Sequence, residues 1–519
     1  MNITVLLSII FIYFFILLGV AFYTSKNSDN QSFFIGNRKS KWWLVAFGMI
    51  GTSLSGVTFI SVPGTVGATG GSYLFGGFEY FQFIIGNFIG YFIIAFLLLP
   101  LYYKMNLTSI YTYLNKRFNT EAHKTGSTFF IISRAIGATA RLYLVINVLD
   151  IFLLNKLGVP FWLTTLVILL MILLYTFEGG VKTIVFTDTL QTSFMLISMI
   201  ACILFIMKNL NLNIRESIDT LNINGYLHIF NCDPHSKTFF LKHILGGMFI
   251  TIAMTGLDQE MMQKNISVKN LKDSKKNMLT FATILILVNL LFLFMGGLLY
   301  LYAINLGAEY QSVSHMINHS QITQNIFGFK DTSGKIQNIM GDNLFPTLSL
   351  AGYFPQYLAI IFIIGLVSAL FPSADGALTS LTSSFCVDIL GLPQKNNLTE
   401  KQKKSLRVKI HLTFTFIFLV LILIFKKINN DSIVYTIMDL AGFTYGPLLG
   451  LFSFGIFTKR ILPQNGKIFI ICIIAPILSY LFRILVLKLG YGIGLELIII
   501  NSGITFLGLL LISKKFDLQ

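Results

Sequence analysis

The chain has 519 residues, of which 55% are hydrophobic and only 12% charged, with a formal net charge of +16. A soluble domain carries about twice that share of charge, so a water-driven globular core is excluded. The apolar runs are continuous rather than alternating, which excludes a β-barrel. The Lys and Arg sit in short loops between those runs, so they read as charge that sets topology rather than as a nucleic-acid surface.

In chain order, the first apolar run, Ile3 to Tyr23, has no basic residue before it, while Lys26, Arg38, Lys39 and Lys41 follow it. That pattern predicts an uncleaved first helix with its N-terminus outside. Thirteen spans of bilayer length follow from hydropathy, at 3–23, 42–70, 76–103, 126–155, 159–177, 183–207, 241–262, 278–304, 354–388, 408–426, 432–457, 467–487 and 492–513. This ordering puts Lys104, Lys116, Arg117 and Lys124 inside. It does the same for Lys264, Lys269, Lys272, Lys275 and Lys276, and for Lys395, Lys401, Lys403, Lys404, Arg407 and Lys409. Lys459, Arg460 and Lys467, then Lys514 and Lys515, continue the pattern. The expectation is an all-α, multi-pass protein of the cell inner (plasma) membrane, one domain over 1–519, with its C-terminus cytoplasmic. The stretches 208–240 and 305–353 are Asn- and Ser-rich and read as long outer loops, with no soluble domain appended. Cys202, Cys232, Cys386 and Cys472 stand singly, without metal or redox spacing.

The second helix crowds Gly48, Gly51, Thr52, Ser53, Ser55, Gly56, Thr58, Ser61, Pro63 and Gly64 into one span. Such residues weaken a helix and free its carbonyls, which lipid tolerates only beside a protein-lined cavity. The seventh repeats the theme with Gly246, Gly247, Thr251, Thr255, Gly256, Asp258, Gln259 and Glu260. Five helices on, the orientation is opposite. Two inverted five-helix repeats, 42–207 and 241–457, with discontinuous first helices and flanking helices at 467–513, fit that offset. Gly48 and Gly246 themselves read as close packing.

Two carboxylates lie at membrane depth: Asp188, with Gln191 one turn on, and Asp375, three residues after Pro372. A buried acid needs a cation, a proton or an ion pair. Sodium, a proton and an arginine all stay open. Pro372 displaces the Ser368 carbonyl from its ladder, and Ala369 and Ser373 share a face there. Arg134 and Arg141 are two turns apart on one face. Either could clamp a substrate carboxylate bidentately, or pair with Asp150 or Glu79. None of the seven histidines, His123, His243 and His411 included, stands at recognisable spacing from an embedded acid, so no catalytic residue is expected.

Three stretches together resemble the sodium/solute symporter family, carriers of sugars, proline, sialic acid, vitamins and iodide. They are Tyr175-Thr176-Phe177-Glu178-Gly179-Gly180, followed by Val185, Thr187-Asp188 and Gln191; Phe371 to Asp388, ending Ser383-Ser384-Phe385-Cys386-Val387-Asp388; and Ala441-Gly442-Phe443-Thr444-Tyr445-Gly446-Pro447-Leu448-Leu449-Gly450. The resemblance implies a sodium site from carbonyls of Gly51, Leu54 and Ala369 and hydroxyls at 372 and 373. Position 373 is Ser, but Pro372 offers no hydroxyl. A second cation or proton site is implied at Asp188 and Asp375. For substrate it implies Ser53, Ser55, Thr58, Glu79, Gln82, Asp258 and Gln259, beside which Arg141 is the candidate clamp. The implied activity is sodium-driven import of a small polar or carboxylated solute by a monomer in the lipid bilayer, without a cofactor. A proton-coupled permease, a channel or sensor and a membrane-embedded transferase are the rivals.

Overall fold

The computed structural model describes residues 3–25, 40–67, 76–107, 109–317, 320–331, 335–428 and 433–514. Side chains at 3, 24–25, 177–182 and 312–324 lie outside that description, and with them Glu178, Gly179 and Gly180; so do Lys26, Arg38, Lys39 and Lys515. Helix α1 is Ile3–Ser25. The next hydrophobic run splits into α2 (Trp42–Ser53) and α3 (Gly56–Gly64). Then come α4 (Tyr80–Ile93, carried past a wide turn at Ile94–Leu98 to Lys104), α5 (Thr112–Arg117) and α6 (Thr120–Leu149). A helical run α7 covers Phe161–Asn209, and the short α8 covers Ile214–Ile223.

The second half opens with α9 (Phe240–Thr251, with a wide turn to Gly256), α10 (Gln259–Ile266) and α11 (Leu271–Asn305). After the segment 305–343 come α12 (Leu344–Leu350), α13 (Gln356–Ser384) and α14 (Glu400–Ile428). The chain closes with α15 (Ile433–Thr444), α16 (Gly446–Phe457), α17 (Lys467–Lys488) and α18 (Leu497–Ile512).

Local chemistry marks the helix starts. Asn119, Asn213 and Asn270 accept a backbone N–H three residues on, Asn213 within a reciprocal box with Glu216, and so satisfy donors that a helix start leaves open. Among the described residues eight helices are long and apolar enough to cross a bilayer, or up to 11 segments if each of three bent pairs is one span. The bends are 58° between α2 and α3, 63° between α9 and α10, and 45° between α15 and α16. The crowded small and hydroxyl residues of the second and seventh helices therefore do coincide with broken backbone.

Burial is graded from centre to rim. The membrane-crossing stretch of α13 is 78% buried and that of α17 only 17%. On α17, Ile470, Ile473, Ile477, Leu481 and Leu485 point outward, as lipid-facing side chains do. Helix α13 packs along α7 and also meets α2, α3 and α6.

Two expectations need correcting. The fold is not purely α. The segment 305–353 carries a three-stranded antiparallel sheet of β1 (Glu309–Ile317), β2 (Ser320–Lys330) and β3 (Ile336–Asn338), in the order β1-β2-β3. Its Asn- and Ser-rich composition gives no strand signal, and the sheet is anchored by Phe327 and Ile336, both buried. In addition, the fifth and sixth expected spans are not divided by a loop, because the backbone is helical through 177–182.

Candidate functional site

The break between α2 and α3 falls at Leu54 and Ser55, whose backbones are extended. Helix α2 lies flat on α7 because glycine allows it. A Cβ at Gly51 would come 2.2 Å from Thr192 Oγ1, and one at Gly48 would come 3.2 Å from the Val185 carbonyl oxygen. Gly246 packs as closely, since its Cβ would meet Leu495 Cβ at 2.4 Å. The close-packing reading of Gly48 and Gly246 matches these contacts.

Below the break lies a buried chain of alternating charges. Lys264 Nζ stands 2.6 Å from Asp188 Oδ2 and 2.5 Å from Thr52 Oγ1, and Thr52 also donates to Asp188 Oδ2 at 3.1 Å. Glu260 Oε1 is 3.7 Å from Lys264 Nζ. Glu260 Oε2 is paired in turn with Arg134 Nη2, whose Nη1 is 3.7 Å from Asp258 Oδ2. Tyr445 donates to Asp258 Oδ2 at 3.1 Å. All these carboxylates and cations are essentially shielded from solvent, and an unpaired member would carry a desolvation cost of several kcal/mol.

Asp375 sits beside this chain. Its Oδ2 accepts from the Tyr175 hydroxyl at 2.8 Å. A Cβ at the adjoining Gly376 would meet Glu260 Oε1 at 2.1 Å, so α13 and α10 touch at that point.

This arrangement revises the sequence reading in three places. Lys264 does not belong to the inner loop cluster; it is 2% exposed and answers Asp188. Arg134 pairs with Glu260 and Asp258, whereas Asp150 is 3.6 Å from Lys426. His123 does meet a buried acid, with Nε2 2.9 Å from Asp388 Oδ1, and Ser109 and Ser384 both donate to Oδ2 at 2.8 Å. Lys264 and Asp188 are 76 positions apart and His123 and Asp388 265, so no local spacing in the sequence reveals these pairs.

The helix bearing Ala369, Pro372 and Ser373 is unbroken through Pro372. Ser373 Oγ donates to the Leu370 carbonyl at 2.9 Å, and Ser368 Oγ donates to Tyr13 Oη at 2.8 Å. Tyr13, from α1, stacks on Phe371 and meets Phe194 edge-on. Sequence reasoning gave α1 no role at this point, because a lone Tyr in an apolar span carries no signal. Gly51, Leu54, Ala369, Pro372 and Ser373 are all buried.

Above the break opens a cavity of about 140 Å³. Ser53, Ser55 and Thr58 line it, as do Arg134 and Arg141 from α6. Asn87 and Tyr91 of α4, Thr251 and Thr255 of α9, and Asn289 of α11 complete its polar wall. Arg141 has no hydrogen-bond or ion-pair partner among the described residues.

Four expected substrate residues are directed elsewhere. Gln82 Nε2 donates to the carbonyls of Glu79 and Thr238, at the N-terminal end of α4. Asp258 caps α10 by accepting from the N–H groups of Glu260 and Met261. Gln259 Oε1 accepts from the Ile110 N–H at 3.0 Å. Neither Glu79, Gln82, Asp258 nor Gln259 lines the cavity. Asn87 and Asn289 escaped the sequence reading because single amides in apolar helices are also commonplace packing residues, whereas Thr251 and Thr255 stood in the polar run of the seventh helix.

The sequence pattern of the sodium:solute symporter family matches residues 33–468. This chain belongs to the sodium:solute symporter family. Among its relatives are the sodium/sialic acid symporter NanT of Aliivibrio fischeri, 23% identical over 475 residues, covering 89% of this chain and 84% of the relative. The sodium/sialic acid symporter SiaT of Proteus mirabilis is 24% identical over 489 residues, covering 91% and 88%. The fold matches the substrate-bound outward-open state of a Na+-coupled sialic acid symporter with a TM-score of 0.75 and 19% identity, over 99% of this chain and 100% of the other. The symporter is thus a multi-pass membrane protein that imports a small polar organic solute with sodium.

Proposed function

We propose that the symporter carries a solute bearing a carboxylate, held by Arg141 in the cavity above the α2–α3 break. One observation carries this reading: a mostly buried guanidinium faces the cavity without a protein counter-ion. Its planar fork matches a carboxylate bidentately. Ser53, Ser55, Thr58, Asn87, Thr251 and Asn289 are placed to meet hydroxyl or amide groups on the rest of the solute. Sialic acid, the cargo named for the two relatives above, has that chemistry, which supports an acidic sugar as the first candidate.

Sodium binds, in this reading, to the carbonyls of Gly51, Leu54 and Ala369 and the hydroxyl of Ser373, with no ligand from Pro372. Carbonyls freed at the α2 terminus supply the hard oxygen such an ion takes. Each sodium entering at −100 mV contributes about 2.3 kcal/mol.

Counting the shorter apolar helices Phe161–Thr176 and Leu497–Ile512 with the 11 segments, the chain crosses the inner membrane 13 times, N-terminus outside. The helical run α7 holds two apolar stretches, Phe161–Thr176 and Thr183–Asn209, and each is taken here as one pass. Inverted repeats at 42–207 and 241–457 then rock against each other as a monomer. The inner ends of their broken helices are clipped, Ser40 N–H donating to the Ser267 carbonyl at 3.1 Å, as an inside-closed state requires.

The test is uptake into proteoliposomes of sialic acid and simpler carboxylates beside their amides, with sodium or potassium gradients. Sodium-driven accumulation of carboxylates over amides is expected. Equal uptake of both, or equal drive by potassium, overturns the proposal.

A further inference from the structure

Asp188 and Asp375 face one another's neighbourhood in a solvent-shielded interior, and a cation there would be strongly held. The chain supplies one of its own. Lys264 leaves α10 and turns its stem inward. Its three N–H donors meet Asp188 Oδ2 at 2.6 Å and Thr52 Oγ1 at 2.5 Å, with Glu260 Oε1 3.7 Å away. Arg134 is engaged by Glu260 and Asp258. Among the described residues Lys264 is therefore the sole ion-pair partner of Asp188, and Asp375 has none.

From this geometry we infer that Lys264 is a tethered cation, occupying at Asp188 the place a mobile sodium ion would need and lowering by one the number of sodium ions the symporter binds. The inference rests on the sodium-coupled reading above.

Three details support an ion position rather than an ordinary structural pair. The ammonium is surrounded by oxygens of three elements, α2, α7 and α10. Asp188 Oδ1 has no partner, and neither do both polar atoms of Gln191, one turn along the same face. Such buried groups are costly to leave unmade, and the two oxygens among them, Asp188 Oδ1 and Gln191 Oε1, are of the kind that ligates a cation. Finally, removing the ammonium leaves Asp188, Glu260 and Asp375 with Arg134 as their nearest cation, a local excess of negative charge that draws in a small cation.

The experiment is equilibrium binding of radioactive sodium to the full-length purified protein in lipid nanodiscs, which needs no solute. Lys264→Gln should bind one sodium more per chain than the unmutated protein. Lys264→Gln/Asp188→Asn, which removes both charges, should return to the original number. Asp188→Asn alone should leave the number unchanged. A gain of zero in a Lys264→Gln protein that still unfolds cooperatively overturns the inference. Loss of one sodium in Asp188→Asn also overturns it, because an ion then resided there beside the lysine. That second variant keeps the test decisive where Lys264→Gln does not fold. Absence of sodium binding by the unmutated chain would defeat the coupling reading instead, while the increment in Lys264→Gln would still decide the role of Lys264.

Discussion

Replacing Arg141 by Gln separates solute recognition from stability. The guanidinium lines the cavity and touches no protein acid, so the free protein loses no ion pair when it goes. It also loses a like charge on the same helix face as Arg134, two turns away. Unfolding temperature should therefore stay within about a degree or rise. Binding of a carboxylate should suffer heavily. Truncating one member of a desolvated charge pair costs about 2–5 kcal/mol; at about 3 kcal/mol the affinity falls roughly 150-fold, since about 1.4 kcal/mol is tenfold. Arg134→Gln should show the opposite profile, because it strands Glu260 and Asp258 in a buried site, at about 3–5 kcal/mol of stability. Calorimetric titration of the carboxylate and its amide, with thermal unfolding of both variants, reads out the contrast. If Arg141→Gln keeps carboxylate affinity within threefold, or loses amide binding equally, the clamp is wrong.

Pro372→Ser should restore a hydroxyl ligand worth about 1 kcal/mol, lowering half-saturating sodium about fivefold in uptake assays; an unchanged value would argue against sodium at Ala369 and Ser373. Gly51→Ala should lose about 1–3 kcal/mol of stability through overpacking, since its Cβ would stand 2.2 Å from Thr192 Oγ1. Gly51→Ala/Thr192→Ala should recover most of that loss in thermal unfolding. Asp388→Ala removes the acceptor shared by His123, Ser109 and Ser384, and should cost about 2–3 kcal/mol; uptake normalised to folded protein should be nearly unchanged, as Asp388 lines neither cavity nor break.

Hydropathy alone marked the long apolar helices, because lipid imposes the same demand on every residue of a span: apolar side chains and an internally bonded backbone. The same demand made departures legible. Gly51 to Thr58 and Thr251 to Asp258 contradict a plain lipid-facing helix, and both coincide with bends. Asp188 and Asp375 announced themselves for the same reason, as charges where charge is expensive.

What answers those charges was not written locally. Lys264 looks like one more basic residue of an inner cluster, since Lys269, Lys272, Lys275 and Lys276 follow it within a dozen positions. Only the 63° turn between α9 and α10 carries its stem back against α7, 76 residues upstream. Glu79, Gln82, Asp258 and Gln259 carry the right chemistry on the right helices, yet capping and other hydrogen bonds take them away from the cavity. Tyr13, Asn87 and Asn289 were ordinary until packing set them at the break and the cavity. Composition and pattern thus determined which segments are apolar enough to cross a membrane and where their backbone breaks. Tertiary packing decided which cation meets which acid, because pairing depends on the distance between helices and not on the spacing along the chain.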